Sequence, residues 1–224
     1  MNNAYSNFCT AIENIRNFGA IYDNIIISYP LIKRELDDML RAQIVYAVSA
    51  MDCYFHEIVR IGMVESYLGI RSKTSKWAGA SITLKSLRDI VSIEEQSDLS
   101  ISQKELLIIT ELNTILKSIL KTLSFQRPDK IKDALSYIWN EEHKMQVIAS
   151  SIGYALVGNN LNEKVKYLEQ KLGLIVTRRD QIAHEADWDS VMMSKRSIRK
   201  DEVDDVVLFI EKFVEAIHNK IVIV

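Results

Sequence analysis

The segment LDDMLRAQIVYAVSAMDCYFHEIVRIGMVESYLG leaves few folds open to this chain. Within it Leu40, Ile44, Val48, Met51, Phe55, Ile58 and Leu68 recur at helical spacing, and Gly69 supplies a stop. The pattern predicts one long helix over residues 35–69. Its central turns are apolar almost all round, which places it inside a bundle rather than on a surface. With only 7 glycines and 2 prolines in 224 residues there is little material for tight turns, so the remainder also reads as mostly helix.

Upstream, Phe8, Ile12, Ile15 and Ile21 mark a shorter amphipathic helix, joined through IIISYP, whose β-branched run is strand-like and reads as a connector. Residues 70–100 lose clear periodicity and read as an insertion with one modest helix near Leu84 to Val91. Spacing returns at SQKELLIITELNTILKSILKTL, with Ser102 and Glu105 laid out as a capping box. Pro128 turns the chain into a short helix, and two more follow, the second capped or kinked at Gly173. Residues 174–185 form a further helical segment. Asp201 is placed to cap a final helix, whose stripe is Val203, Val206, Ile210, Phe213, Val214 and Ile217. The expected fold is all-α, a multi-helix bundle with four or more long core helices, in a single domain over residues 1–224.

The charge balance is close to neutral, −2, which excludes a generally basic nucleic-acid coat; a polyanion partner would need a local positive patch. Cys9 and Cys53 form no CxxC pair and sit among apolar or small neighbours, which suggests reduced, buried thiols in a cytoplasmic protein. The N-terminal text has no basic and apolar leader pattern, no stretch approaches the roughly 20 apolar residues of a membrane span, and the terminal IVIV is too short for an anchor. No membrane partner is expected.

The chemistry concentrates in TRRDQIAHEADWD, residues 177–189, which holds Arg178, Arg179, Asp180 and one of four histidines, His184. Arg179 and His184 form R-x-x-x-x-H, a spacing that is weak evidence alone. Asp180 and His184 stand four apart on one helix face, so the carboxylate is placed to set the imidazole tautomer. Arg178 is either a second phosphate clamp or a salt bridge on the opposite flank. Asp52 and His56 repeat the four-residue spacing inside the long helix. A carboxylate there needs a partner, and either it holds Arg178 or Arg179 from behind or it faces a groove and pairs with His56. SKRSIRK supplies Lys195, Arg196, Arg199 and Lys200, which serve an RNA backbone or merely a solvated loop. Trp188 either stacks a base or packs back on the bundle.

The stretch RRDQIAHEAD resembles the signature of the HEPN superfamily, and within it the RiboL-PSP type. LRAQIVYAVSAMDCYFHEIVR is similar to that group's long helix with Asp and His four apart, and SFQRPDKIKDAL to its middle segment, so the likeness runs over residues 36–220 and leaves residues 1–35 and 70–100 unplaced. The resemblance implies a metal-independent endoribonuclease, a toxin or defence factor with an antitoxin or defence-system partner. It further implies a homodimer with paired motif helices and no cofactor, cleaving RNA to 2′,3′-cyclic phosphate ends. Arg179 would stabilise the phosphorane and His184 would move the proton.

Two rival readings are kept open. A catalytically silent RNA-binding or scaffold module would use the same helical frame. A divalent-metal hydrolase would use Asp52/His56 and Asp180/His184 as facing ligand pairs, although no HExxH occurs and the neighbouring arginines would repel a cation.

Overall fold

The computed structural model describes residues 1–222; of the terminal IVIV, residues 223 and 224 lie outside the described residues. Among the described residues nine α-helices follow one another, with a single two-stranded hairpin between the last two. Helix α1 runs over Asn2–Ser28 and buries Ala4, Phe8, Ile12, Ile15, Gly19 and Tyr22, an unbroken 3–4 spacing. The isoleucine run of IIISYP is therefore helical, not the expected connector. Extending a formed helix costs little, and packing overrides a weak β preference. What ends α1 is Pro30, whose ring drives Tyr29 out of the helical region, to φ −137° and ψ 66°.

After a 3-10 turn at Pro30–Ile32, α2 spans Lys33–Tyr67. Leu40, Val48, Met51, Phe55 and Ile58 are fully buried, as the spacing requires. Gly69, at φ +73°, takes the left-handed position past the end, and the Ile70 amide donates back to the Glu65 carbonyl at 2.9 Å. Cys9 and Cys53 are both exposed, against the expectation of buried thiols, because each falls one position off its helix's apolar stripe.

Residues 70–100 hold the short α3, Ser75–Ala78, and α4, Leu84–Glu94, which buries no residue and packs back on α5, Ile101–Leu120. The capping box of α5 is Ser100 with Gln103, two residues before the expected Ser102 with Glu105. The Ser100 hydroxyl accepts from the Gln103 amide at 3.3 Å, and the Gln103 side chain accepts from the Ser100 amide at 2.9 Å. Both pairs fit the motif, and the earlier one adds helical hydrogen bonds.

Helices α6, Pro128–Leu135, and α7, Lys144–Ser151, lead to α8, Leu161–Glu185. The expected break at Gly173 is absent, and the two segments are one helix. Gly173 sits inside it with nothing within 4 Å of where a Cβ would stand, its helical cost outweighed by burial of Leu168, Leu172, Ile175 and Val176. Strands β1, Trp188–Asp189, and β2, Ser194–Lys195, pair antiparallel, so part of the expected basic loop is a hairpin.

Helix α9, Lys200–Ile221, starts at an Arg199 cap without a side-chain bond. Asp201, expected as that cap, lies in the first turn and is held by Arg199. The core gathers α1, α2, α8 and α9. At one joint in it the Tyr5 ring stacks on buried His218 at 4.1 Å, and Tyr54 Oη meets His218 Nδ1 at 3.1 Å; burial holds this imidazole below its usual pKa. No described helix is long and apolar enough to cross a membrane.

Candidate active site

The inward stripe of α8 reads Leu168, Leu172, Ile175, Val176, and one more turn at the same spacing brings it to Arg179. The guanidinium is thus carried on the buried side of the helix, its side chain only 17% exposed. Its Nε is buried and has no hydrogen-bond partner among the described residues. His184, five positions on, is exposed and makes no side-chain hydrogen bond or ion pair among the described residues.

Positions five apart on a helix are separated by about 140° around the axis and about 7.5 Å along it. In this protein that separation becomes one group facing in and one facing out.

Arg178 has a different fate. Past α8 the chain turns sharply through Ala186 at φ 51° and Asp187 at φ 59°, both left-handed. The turn drives the Asp187 side chain into the interior, where it is fully buried between two arginines. Arg41 from α2 donates through Nε at 2.5 Å. Arg178 grips the carboxylate through both terminal nitrogens, Nη2 at 2.9 Å, and also donates to the Ser197 carbonyl.

The Asp187 carbonyl in turn accepts from the Arg196 amide at 2.9 Å, and the Arg196 carbonyl accepts from Arg41 at 2.6 Å. Asp187 therefore ties α2, the end of α8 and the hairpin together, the helices through its carboxylate and the hairpin through its backbone carbonyl. Burial, with Arg41 and Arg196 nearby, pushes the Arg178 pKa down, and the Asp187 charge opposes that push. Of the two roles open to Arg178 in the sequence, the geometry is that of the salt bridge.

Asp180 pairs with arginines and not with His184, the partner its spacing suggested. Its carboxylate lies 3.2 Å from Arg179 Nη1 and 3.6 Å from Nη2 of Arg127, the residue before Pro128. No ion pair joins Asp180 to His184 among the described residues. The arginines compete for the carboxylate more strongly than an imidazole does.

Asp52 likewise holds neither Arg178 nor Arg179. Oδ1 accepts from the Phe125 amide at 2.7 Å and Oδ2 from the Gln126 side chain at 2.9 Å, while His56 Nε2 stands 3.6 Å away. The His56 ring lies tilted on Phe125, centroids 4.5 Å apart. Asp52 thus pins residues 125–126, directly before Arg127, and its side chain is 21% exposed rather than buried.

The basic run is closed by carboxylates. Lys195 holds Asp38 at 2.7 Å, and this contact draws the Asp38 pKa below its usual range. Arg196 donates to the Trp188 carbonyl at 2.8 Å and lies 3.2 Å from Glu185. Arg199 grips Asp201, and Lys200 holds Asp204 at 2.5 Å. Trp188 is 47% exposed at the base of the hairpin.

The facing Asp/His pairs of a metal site are not assembled, since Asp52 looks to the 125–126 segment and Asp180 to two arginines. Among the described residues no group of three or more His, Cys, Asp or Glu side chains converges.

Three residues of this region were missed in the sequence. Arg41 carried a signal, a charge beside Leu40 and Ile44 on a buried stripe, which demands a partner. Arg127 and Asp187 carried none, because the turn and the long-range contact that place them are not periodic features.

A family model described as RiboL-PSP-HEPN matches residues 10–222, including the 70–100 region and most of α1 that the motif likeness left unplaced. No curated protein and no solved structure matches the chain.

Proposed function

Because the chain belongs to the RiboL-PSP-HEPN family, we propose that it is a metal-independent endoribonuclease, of the toxin or defence type, that works as a homodimer. The observation that carries the reading is the pairing of an under-coordinated arginine with an unengaged histidine at the end of α8. Arg179 retains a buried Nε without a partner among the described residues, and His184 is exposed to solvent.

The chemistry these groups suit is intramolecular attack by an RNA 2′-hydroxyl. The O2′–P bond forms as the P–O5′ bond breaks, giving a 2′,3′-cyclic phosphate and a 5′-hydroxyl. His184 takes the 2′ proton, and a protonated imidazole returns one to the leaving 5′ oxygen. Arg179 offsets the charge that builds on the phosphorane. Within one chain Arg179 faces inward and His184 outward, so a site using both draws on a second copy of α8 about a two-fold axis.

One observation favours the silent RNA-binding alternative. With Asp180 turned to Arg179 and Arg127, no carboxylate among the described residues orients the His184 imidazole. The test is digestion of single-stranded RNA in excess EDTA with analysis of the ends. Cyclic-phosphate ends support the ribonuclease. Binding without cleavage in any condition supports the silent module, and activity that is lost to EDTA and restored by a divalent ion overturns the metal-independent mechanism.

A further inference from the structure

Around the end of α8 the cations divide into two groups. Arg41, Arg178, Lys195, Arg196, Arg199 and Lys200 each donate a hydrogen bond to a carboxylate or carbonyl oxygen. Arg179 and Arg127 do not. Both lean on the single carboxylate of Asp180, at 3.2 Å and 3.6 Å, and neither side chain completes a hydrogen bond to it among the described residues. Two guanidiniums bring ten N–H donors and two positive charges to one carboxylate, so donors and charge are both in excess. The buried, unpartnered Nε of Arg179 is the extreme of that excess.

Arg127 is also well placed to use it. Asp52 anchors the two residues before it through the Phe125 amide and the Gln126 side chain. After it, Pro128 opens α6, whose Ile131, Ala134 and Leu135 are buried in the core. The backbone is held from both sides while the side chain stays 58% exposed. A fixed base and an exposed guanidinium suit an anion that arrives from solvent.

On the reading that the chain acts on RNA, we propose that Arg127 is the second phosphate-binding residue of the site. An RNA phosphodiester bridges Arg127 and Arg179 over Asp180, and the carboxylate serves as a placeholder that keeps the two guanidiniums together until RNA arrives. With the phosphodiester bound, two negative charges meet two positive ones. Arg178, the adjacent arginine in sequence, has no such role because Asp187 occupies it. Asp52 then acts as a positioning residue, through Arg127.

The experiment measures binding of a 2′-O-methyl oligoribonucleotide, which lacks the attacking hydroxyl, to the full chain across a salt series. Arg127→Ala should weaken binding about tenfold at low salt and lower the slope of log K against log salt by about 0.7, the share of one phosphate contact on a single strand. Arg127→Lys should recover part of both, with the thermal midpoint unchanged throughout. Asp180→Asn, which removes the competing carboxylate, should tighten binding.

An Arg127→Ala protein with wild-type affinity and slope, alongside a wild type that binds and cleaves, overturns this proposal alone. A wild type that binds no oligonucleotide overturns the RNA reading itself and this proposal with it. Weaker binding of Asp180→Asn also overturns the placeholder role, since a carboxylate that competes with phosphate cannot help to hold it.

Discussion

Two neighbouring clusters on α8 have the same composition, one aspartate between two arginines, and opposite properties. In Arg41–Asp187–Arg178 the carboxylate is fully buried, Arg178 grips it through both terminal nitrogens, and backbone carbonyls take up other donors. In Arg179–Asp180–Arg127 the carboxylate is 37% exposed, its contacts are longer, and one buried donor has no partner among the described residues. The first is a closed electrostatic joint between α2, α8 and the hairpin. The second is open to one more anion. The contrast teaches that adjacency in sequence says little about role: Arg178 and Arg179 are consecutive, yet they point to different sides of the helix and into different chemistry.

The sharpest way to break the comparison is to exchange the fates of the two arginines. Arg179→Ala and His184→Ala should each lower RNA cleavage by about a thousandfold, with helical circular dichroism and thermal midpoint close to wild type. Arg178→Ala should instead lower the thermal midpoint first. Equal loss of fold in the Arg179 and Arg178 variants would erase the distinction between an open and a closed cluster.

Next in size is the closed joint itself. Asp187→Ala leaves Arg178 without its counter-charge and Arg41 with only the more exposed Asp38, in a buried setting, which should cost about 3–5 kcal/mol in urea unfolding. Asp180→Ala should cost less than about 1 kcal/mol, as for a partly exposed pair. Comparable losses would mean that both clusters are structural.

Asp52→Ala should fall between these, at about 1–3 kcal/mol, because it strands the Phe125 amide and the Gln126 side chain. Cleavage should fall with it, while Asp52→Asn, which keeps an acceptor for the Phe125 amide, should restore part of both. Unfolding titrations and initial rates on the same preparations would separate the two losses.

The histidines carry the comparison further. His218 is buried and its folded pKa lies below the unfolded value near 6.5, so the unfolded chain binds the proton more readily in acid. Stability from this group is full above about pH 6.5 and falls as pH drops from there through the folded pKa. His218→Gln should remove that part of the pH dependence, and His184→Gln should leave it in place, as read from chemical denaturation at pH 8 and pH 5.

The smallest expected effect lies in the same helix as both clusters. Gly173→Ala has open space for its methyl group and should raise stability by about 0.5–1 kcal/mol, a gain that would confirm α8 as one continuous helix. A loss would show a backbone demand at Gly173 that its surroundings do not reveal.

What the residues determined by themselves was everything that repeats over a few turns. The spacing of Leu40, Ile44, Val48, Met51, Phe55 and Ile58 made α2 a buried helix, the stripe from Val203 to Ile217 made α9 an amphipathic one, and Arg179 and His184 were set five apart on a helix whatever the rest of the chain did. Helical periodicity is a local property, carried by backbone geometry and by which side chains avoid water, so it survives without knowledge of neighbours.

The register of a cap, the helical state of the isoleucines before Pro30 and the continuity through Gly173 were less legible, since each turns on less than about 1 kcal/mol of local preference that packing overrides. The partners of charges far apart in sequence were not legible. Residues 41 and 187, 52 and 125, and 127 and 180 are brought together by the packing of α2, α6 and α8 and by two successive left-handed residues after α8. A carboxylate near several cations pairs with whichever the fold brings within reach, and only the tertiary structure decided that Asp187 would close around Arg178 and leave Arg179 open.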